Sequence, residues 1–312
     1  MRPGDRRGVA LMLVLWLIVV LGTIAVGVAA VGRGEGNVVR NVRTRAAARY
    51  AAESGVIAAQ VRLEQLLRGA VTPRERALVF RRLDAELAEL KDQSLGDAVR
   101  FQAVAVDLNA RIDLNGADAP MLLGLFRQFV GEREAGALVD ALEDWKDPDD
   151  LVRPRGAEAA DYARAGSPFR PPNRPLQRLD ELTRIMGFTE ALADRLAPYV
   201  TVQGDGRVDI NTAPEPVLSA LPGIGAAGAK VLVAARERGD VFESPTAVWT
   251  VMRGLGAAWG AVDISHIAIL PRRVLIVSRG WESGQPLTHE IQAVFEVDGP
   301  RLTLRSWTER DL

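Results

Sequence analysis

VALMLVLWLIVVLGTIAVGVAAV, residues 9–31, carries no charged side chain and follows directly on Arg6-Arg7-Gly8. As a helix it reaches roughly 34 Å, enough to cross a bilayer core. The leader before it, Met1 to Gly8, is short and basic and ends in a glycine set against the apolar run. A secretory signal has a shorter apolar stretch with its cleavage site beyond it. Val28-Ala29-Ala30 leaves that reading open, but the length of the run favours a membrane-spanning helix. Arginines stand on both sides, Arg2, Arg6 and Arg7 before the run and Arg33, Arg40, Arg43, Arg45 and Arg49 after it. By the positive-inside rule this charge does not place the bulk of the chain outside the cytoplasm.

Working outward, Gly32, Gly34 and Gly36 weaken the helix just past the run, each by about 1 kcal/mol relative to alanine. From Val38 to Arg68 helical spacing resumes through Val39, Val42, Ala46, Tyr50, Ile57 and Val61, so residues 9–68 read as one helix with a soft joint. Thr72-Pro73 opens a further helix to about Lys91. Ala98 to Leu108 is a valine-rich strand, and the tail alternates again in Arg272 to Ser278, Thr288 to Val297 and Arg301 to Trp307. The class is therefore α+β, a long N-terminal helix packed on a small antiparallel sheet.

Between these strands lies a repeat. Ala110-Arg111-Ile112-Asp113-Leu114-Asn115-Gly116-Ala117 returns as Gly206-Arg207-Val208-Asp209-Ile210-Asn211-Thr212-Ala213, and Pro120, Leu122 and Leu125 match Pro216, Leu218 and Leu221 at the same offset. Each copy is a short extended segment, an Asn turn or cap, and a helix start, which predicts two related helical modules in tandem. The second continues through Leu221-Pro222-Gly223-Ile224-Gly225 into a helix, the pattern of a helix-hairpin-helix unit. Its glycines permit a tight turn and leave amides free at a helix N-terminus, where an anion could bind.

Composition narrows the chemistry. The 312 residues hold 39 Lys+Arg against 40 Asp+Glu, so no global field marks a nucleic-acid binder, and the lack of cysteine excludes disulfides, thiolate catalysis and cysteine-ligated metals. His266 and His289 are the only imidazoles and stand in no triad or metal spacing, and there is no P-loop or dinucleotide fingerprint. No enzymatic reading follows. The densest acidic stretch is Asp144-Trp145-Lys146-Asp147-Pro148-Asp149-Asp150, with Glu158 and Asp161-Tyr162 beyond it. Crowded carboxylates on a turn are relieved by a hard cation, and Asp147, Asp149, Glu158 and Asp161 are the candidate ligands, although the spacing is not that of an EF-hand.

The basic leader, the Gly8-Val9 junction and the apolar run resemble the prepilin signal of pilins and pseudopilins. That resemblance implies cleavage between Gly8 and Val9 by a prepilin peptidase, and a fifth mature position at Leu13 where most members carry glutamate. In a filament, the resemblance implies, that glutamate pairs with the terminal amine of the subunit ahead. A subunit with nothing ahead would bury the charge unpaired, at several kcal/mol, so leucine fits a tip position.

With Pro171-Pro172-Asn173-Arg174-Pro175-Leu176, Leu196-Ala197-Pro198-Tyr199-Val200-Thr201-Val202, the acidic region and the repeat, nearly the whole chain resembles the minor pseudopilins of type II secretion called general secretion pathway protein K. The resemblance implies a pilin-like transmembrane helix on an antiparallel sheet with a large inserted α-helical domain of two helix-hairpin-helix or SAM-like modules. It divides the chain into a leader (1–8), the helix (9–68), a helix and first strand (69–108), the first module with the acidic loop (109–205), the second module (206–270) and the last strands (271–312). It further implies calcium in the acidic region and a single pass through the bacterial inner membrane with the bulk in the periplasm. The partners implied are other minor pseudopilins at the pseudopilus tip, the prepilin peptidase and the inner-membrane secretion platform. A rival resemblance, resting on Val208 to Phe242, is to the membrane-anchored DNA-uptake receptor of competence systems. Arg207, Lys230, Arg236, Arg238 and Arg253 are offset there by Asp209, Glu215, Glu237, Asp240 and Glu243. A neutral module is poorly suited to phosphate backbones, so no nucleic-acid partner is expected.

Overall fold

In the computed structural model the backbone is described for residues 5–254 and 262–312, and side chains for residues 11–25, 40–254 and 262–312. The chain opens with α1 (Asp5–Gly69). The glycine joint at Gly32, Gly34 and Gly36 lies outside the described side chains. Among the described residues no helix is long and apolar enough to cross a membrane, and the run of residues 9–31 extends past the described side chains at both ends.

α1 lies on a five-stranded antiparallel sheet of β1 (Gln93–Ser94), β2 (Val99–Asp107), β7 (Arg273–Glu282), β8 (Thr288–Asp298) and β9 (Arg301–Asp311), which sit in that spatial order. The four strands expected from period-two patterning are present, and the tail strands run longer than their apolar pattern. Contact between helix and sheet is close because small residues meet. Ala48, Ala51, Ala52 and Ala59 are fully buried on α1, and a Cβ on Gly280 of β7 would fall 2.2 Å from the Ala48 carbonyl. Val56, Leu63 and Leu67 complete the helix face against Phe101, Val274, Ile276, Ile291 and Phe295.

The helix expected from Thr72-Pro73 to Lys91 is broken. Thr72 caps α2 (Pro73–Arg81) with a full capping box to Glu75, but the chain then bends through α3 (Leu83–Glu86) and a 3-10 turn (Ala88–Lys91). The break serves burial. Phe80, Leu83, Leu87 and Leu90 all enter the core under α1, and the bends let each successive turn face inward.

β2 and β7 are hydrogen-bonded neighbours, with Asp107 opposite Val274, yet the chain makes its whole helical head between them. The head comprises β3 (Ile112–Asp113), α4 (Ala119–Phe126), α5 (Glu132–Lys146), α6 (Ala159–Arg164), α7 (Glu190–Leu196), β4 (Val200–Thr201), β5 (Val208–Asp209), α8 (Glu215–Ala220), α9 (Gly225–Glu237), α10 (Ala247–Arg253) and β6 (Ile267–Ala268). The two copies of the repeat fold alike. β3 pairs in parallel with β4, and β5 in parallel with β6, so each unit closes with a matching two-residue bridge. Both contribute to one buried core, and they meet tightly where Gly124 of α4 would put a Cβ 2.7 Å from the Ala220 carbonyl of α8.

The asparagines of the repeat tie these units shut. Asp113 Oδ1 accepts the Asn115 amide, and the Asn115 side chain bonds the Leu176 N–H and carbonyl and the Val202 carbonyl. In the second unit Asp209 Oδ1 accepts the Asn211 amide, and Asn211 bonds the Phe242 N–H and carbonyl and the Ile269 carbonyl. A third Asp-x-Asn step, Asp107 to Asn109, sits at the root of the head. There the Asn109 side chain donates to Asp205 and the Arg207 carbonyl and accepts from the amides of Arg272 and Arg273.

Candidate functional site

The acidic region wraps the C-terminal end of α5. Amphipathic spacing buries Leu138, Leu142 and Trp145 on this helix and carries Asp144 inward with them, at 0% exposure. Asp144 accepts the Arg153 amide, and the Arg153 guanidinium reaches Asp144 Oδ1 and Asp147 Oδ2, both at 3.3 Å. Gly156 fits where a Cβ would lie 2.0 Å from Asp144 Oδ2, so the loop is cinched against that carboxylate. Asn173, in a left-handed conformation at φ 50°, pins the loop through the Asp149 carbonyl and Asp150 Oδ1.

Glu158 faces this group from the start of α6. It is 5% exposed, and neither of its carboxylate oxygens has a hydrogen-bond partner; Asp147 Oδ1 is likewise buried and unpartnered. Burial first, and then the charges of Asp144, Asp147 and Asp150, push Glu158 up to about 7. Burial also raises Asp144, with Asp147 adding to it and the Arg153 amide opposing. Trp145 and Tyr162 back the site with ring centres 5.8 Å apart, and burial lifts the Tyr162 hydroxyl to about 12.

Of the four ligands expected from sequence, Asp147 and Glu158 converge. Asp149 turns away to accept the Leu151 amide at 2.9 Å, and Asp161 caps α6 through the Glu158 amide and pairs with Arg164. The carboxylates that take their places electrostatically are Asp144 and Asp150. Helical phase was the missed signal, since it sends Asp144 to the same side as Trp145. Among the described residues no three acidic or histidine side chains are close enough, as they stand, to hold a metal ion. Arg153 occupies the gap between Asp144 and Asp147.

At the other end, Gly8 and Val9 lie outside the described side chains. Leu13 is 63% exposed on α1, with Met12 and Trp16 beside it 76% and 67% exposed. The two histidines are held by acids. His289 bridges Asp311 at 2.7 Å and Glu309 at 3.2 Å, and His266 stands 3.4 Å from Asp118. In the hairpin, Gly223 and Gly225 have φ of 81° and 60°, the conformations that their positions between α8 and α9 require.

Two family models described as type II secretion system, protein K, match residues 103–205 and 208–269, together more than half of the chain. The chain belongs to the type II secretion system protein K family. It is 28% identical over 304 residues to the Pseudomonas aeruginosa protein K, covering 89% of each chain. Shorter stretches match the Dickeya chrysanthemi protein at 36% over 112 residues and the Aeromonas hydrophila protein at 40% over 86 residues. Those stretches cover 33% of this chain and 30% of the Dickeya protein, and 27% of this chain and 26% of the Aeromonas protein. The fold is that of a solved chain in the GspK-GspI-GspJ complex of enterotoxigenic Escherichia coli, with a TM-score of 0.62 at 17% identity over 87% of this chain and 99% of that one. As a protein K, this chain is a minor pseudopilin of the type II secretion system. The DNA-uptake reading is not supported, because the stretch on which it rested is itself matched as protein K.

Proposed function

We propose that this protein K ends the pseudopilus at its tip, in complex with other minor pseudopilins, and so supports export across the outer membrane. The observation that carries the reading is the place of the head. It is spliced between two neighbouring strands of the central sheet, so bulk is borne on the subunit's core and not on a trailing linker. A subunit of this shape adds width where a further subunit would have to stack. The companions of the solved relative, GspI and GspJ, indicate the kind of partner, another minor pseudopilin.

Assembly on this reading begins at the inner membrane. A prepilin peptidase cuts between Gly8 and Val9, residues 9–31 cross the bilayer once, and the sheet and head stand in the periplasm beside the secretion platform. Small residues such as Gly22 and Ala25 allow close approach of partner helices. Leu13 removes the carboxylate that a tip subunit could not pair. The division into leader, helix, sheet and two modules at residues 8, 68, 108, 205 and 270 is retained, with the modules read as helix-hairpin-helix or SAM-like units serving structure and protein contact, not nucleic acid.

Calcium is proposed for the acidic loop. Three buried oxygens without partners, Asp147 Oδ1 and both of Glu158, are donors that a hard cation needs, and Asp144 and Asp150 adjoin them. Asp149 and Asp161 would join only by leaving the contacts they now make.

Sequencing the N-terminus of the membrane-extracted protein tests the anchor. A start at Val9 is expected, and a start at Val31 removes the pseudopilin assembly scheme. Co-purification with the other minor pseudopilins tests the tip complex, with Leu13→Glu expected to lower both tip occupancy and secretion. A Leu13→Glu chain that occupies the tip as the wild type does overturns the electrostatic account of that position.

A further inference from the structure

The head is rooted at a pair of buried acids that neither the family nor the calcium reading uses. β2 ends at Asp107, which is 5% exposed, and Asp209 of β5 is wholly enclosed. Asp107 Oδ1 accepts the Asn109 amide at 2.7 Å and its Oδ2 accepts the Thr212 hydroxyl at 2.5 Å. Asp209 Oδ1 accepts the Asn211 amide, while its Oδ2 is buried without a partner. The Thr212 hydroxyl stands against both carboxyls, but it has one proton to give and gives it to Asp107.

The surrounding charges do not neutralise the pair. Asp205 adds repulsion on the Asp107 side and is itself 3.9 Å from Arg272. Arg111 acts on Asp107 at a distance, and Arg236 on Asp209. The Arg236 guanidinium is committed to the Ile210 and Ala213 carbonyls, and Arg81 and Glu237 face that arginine in turn. Among the described residues no ion pair reaches either carboxylate. Two bare anions beside an orphan acceptor in such a site would be strongly disfavoured, because neither burial nor repulsion is offset by a paired cation.

We propose that Asp107, Thr212 and Asp209 form a buried proton-binding site that fastens the head to the sheet, holding one proton between two carboxyls. Asp209 Oδ2 carries the proton and donates it to Thr212 Oγ1, which donates its own to Asp107 Oδ2. Every polar atom of the triad then has a partner. The chain of bonds links the last residue of β2 to the first turn of the second unit, so the site holds the root of the head closed. The titration behaviour agrees. Burial raises Asp209 well above the ordinary 3.8, with Asp107 adding to it, and burial lifts Asp107 to about 7.

The sign follows from linkage. Groups raised in the folded state contribute stability that is complete below about pH 4 and is lost as pH climbs to their folded values, near pH 7 for Asp107. A single shared proton changes the unfolding equilibrium by about tenfold per pH unit within that window. The test is urea unfolding of the full chain from about pH 4.5 to 8.5, in a Glu158→Gln background with chelator, which removes the carboxyl raised to about 7 in the acidic loop. Asp209→Asn keeps a donor in the place of the protonated oxygen. It is expected to match the parent at low pH, to exceed it at high pH, and to lose about one proton of slope. An unchanged slope overturns the proposal. Should the variant fail to fold, infrared spectra of the Glu158→Gln chain itself decide at neutral pH: a protonated carboxyl band supports the site and its absence removes it. Stability that follows sodium or potassium concentration at high pH, with no such band, would mean a bound cation in place of the proton and also overturns it.

Discussion

Glu158 is an acid whose surroundings reject its charge, and this makes it a sensitive probe. Because its value in the fold is raised to about 7, stability is complete below its ordinary 4.5 and falls as pH rises toward 7. Glu158→Gln should therefore stabilise the chain at pH 8 without calcium, by about 1–3 kcal/mol, and leave it little changed at pH 4. The same substitution should erase any rise in melting temperature on adding calcium, which parallel melts with calcium and with chelator would read. Asn211 is the opposite case, a buried side chain with every group satisfied. Truncation to alanine strands the Phe242 amide and two carbonyls and should cost about 3 kcal/mol in urea unfolding. Asn173→Ala, on an exposed loop, should cost less and act mainly on calcium response.

At the scale of elements, what sequence made legible followed local pattern. The strands at Val99–Asp107 and in the tail show period-two alternation, and the two head units show the same Asp-x-Asn start at a fixed offset. What stayed hidden depended on distant partners. The Asp107 to Asn109 step lies outside the repeat's frame, and its side chain meets Arg272, 163 residues away. The acidic site was half legible, because the turn crowds its carboxylates visibly while the choice among them is made by helix phase and by Arg153. The packing of α1 on the sheet was expected, but its point of closest approach was not legible, since nothing local marks Gly280 as the place where the helix crosses. Gly280→Ala must displace Ala48, Ala51 and Ala52, all without slack, and should destabilise the core by about 1–3 kcal/mol. Gly284→Ala, where no atom lies within 4 Å but φ is 80°, separates backbone strain from collision. The collision reading requires that Gly280→Ala be the more costly in chemical denaturation.

For the whole molecule, the decisive property is that the head is inserted between two strands that the sheet pairs all the same. Asp107 and Val274 are opposite one another on adjacent antiparallel strands, so their ends are already at hairpin distance. Replacing residues 108–273 by an Asn-Gly turn asks the chain for a connection that such strands commonly use. The core under α1 draws on Phe101, Val274, Ile276, Ile291 and Phe295, and none of its buried residues belongs to the head. The shortened chain is therefore expected to keep a cooperative unfolding transition and a β-rich spectrum, while losing the hydrogen bonds that Arg74, Arg81, Asp107 and Ser306 make to the head. Its function should divide in the same way. On the proposed reading, membrane insertion is assigned to α1 and termination to the head, so membrane association is expected to persist in the shortened chain, and co-purification shows whether partner binding needs the head. If bulk at the tip is what ends growth, pseudopili built with the headless subunit should lengthen and secretion should fall. Filaments of unchanged length, with the headless subunit shown to be at their ends, would move termination from the head to α1.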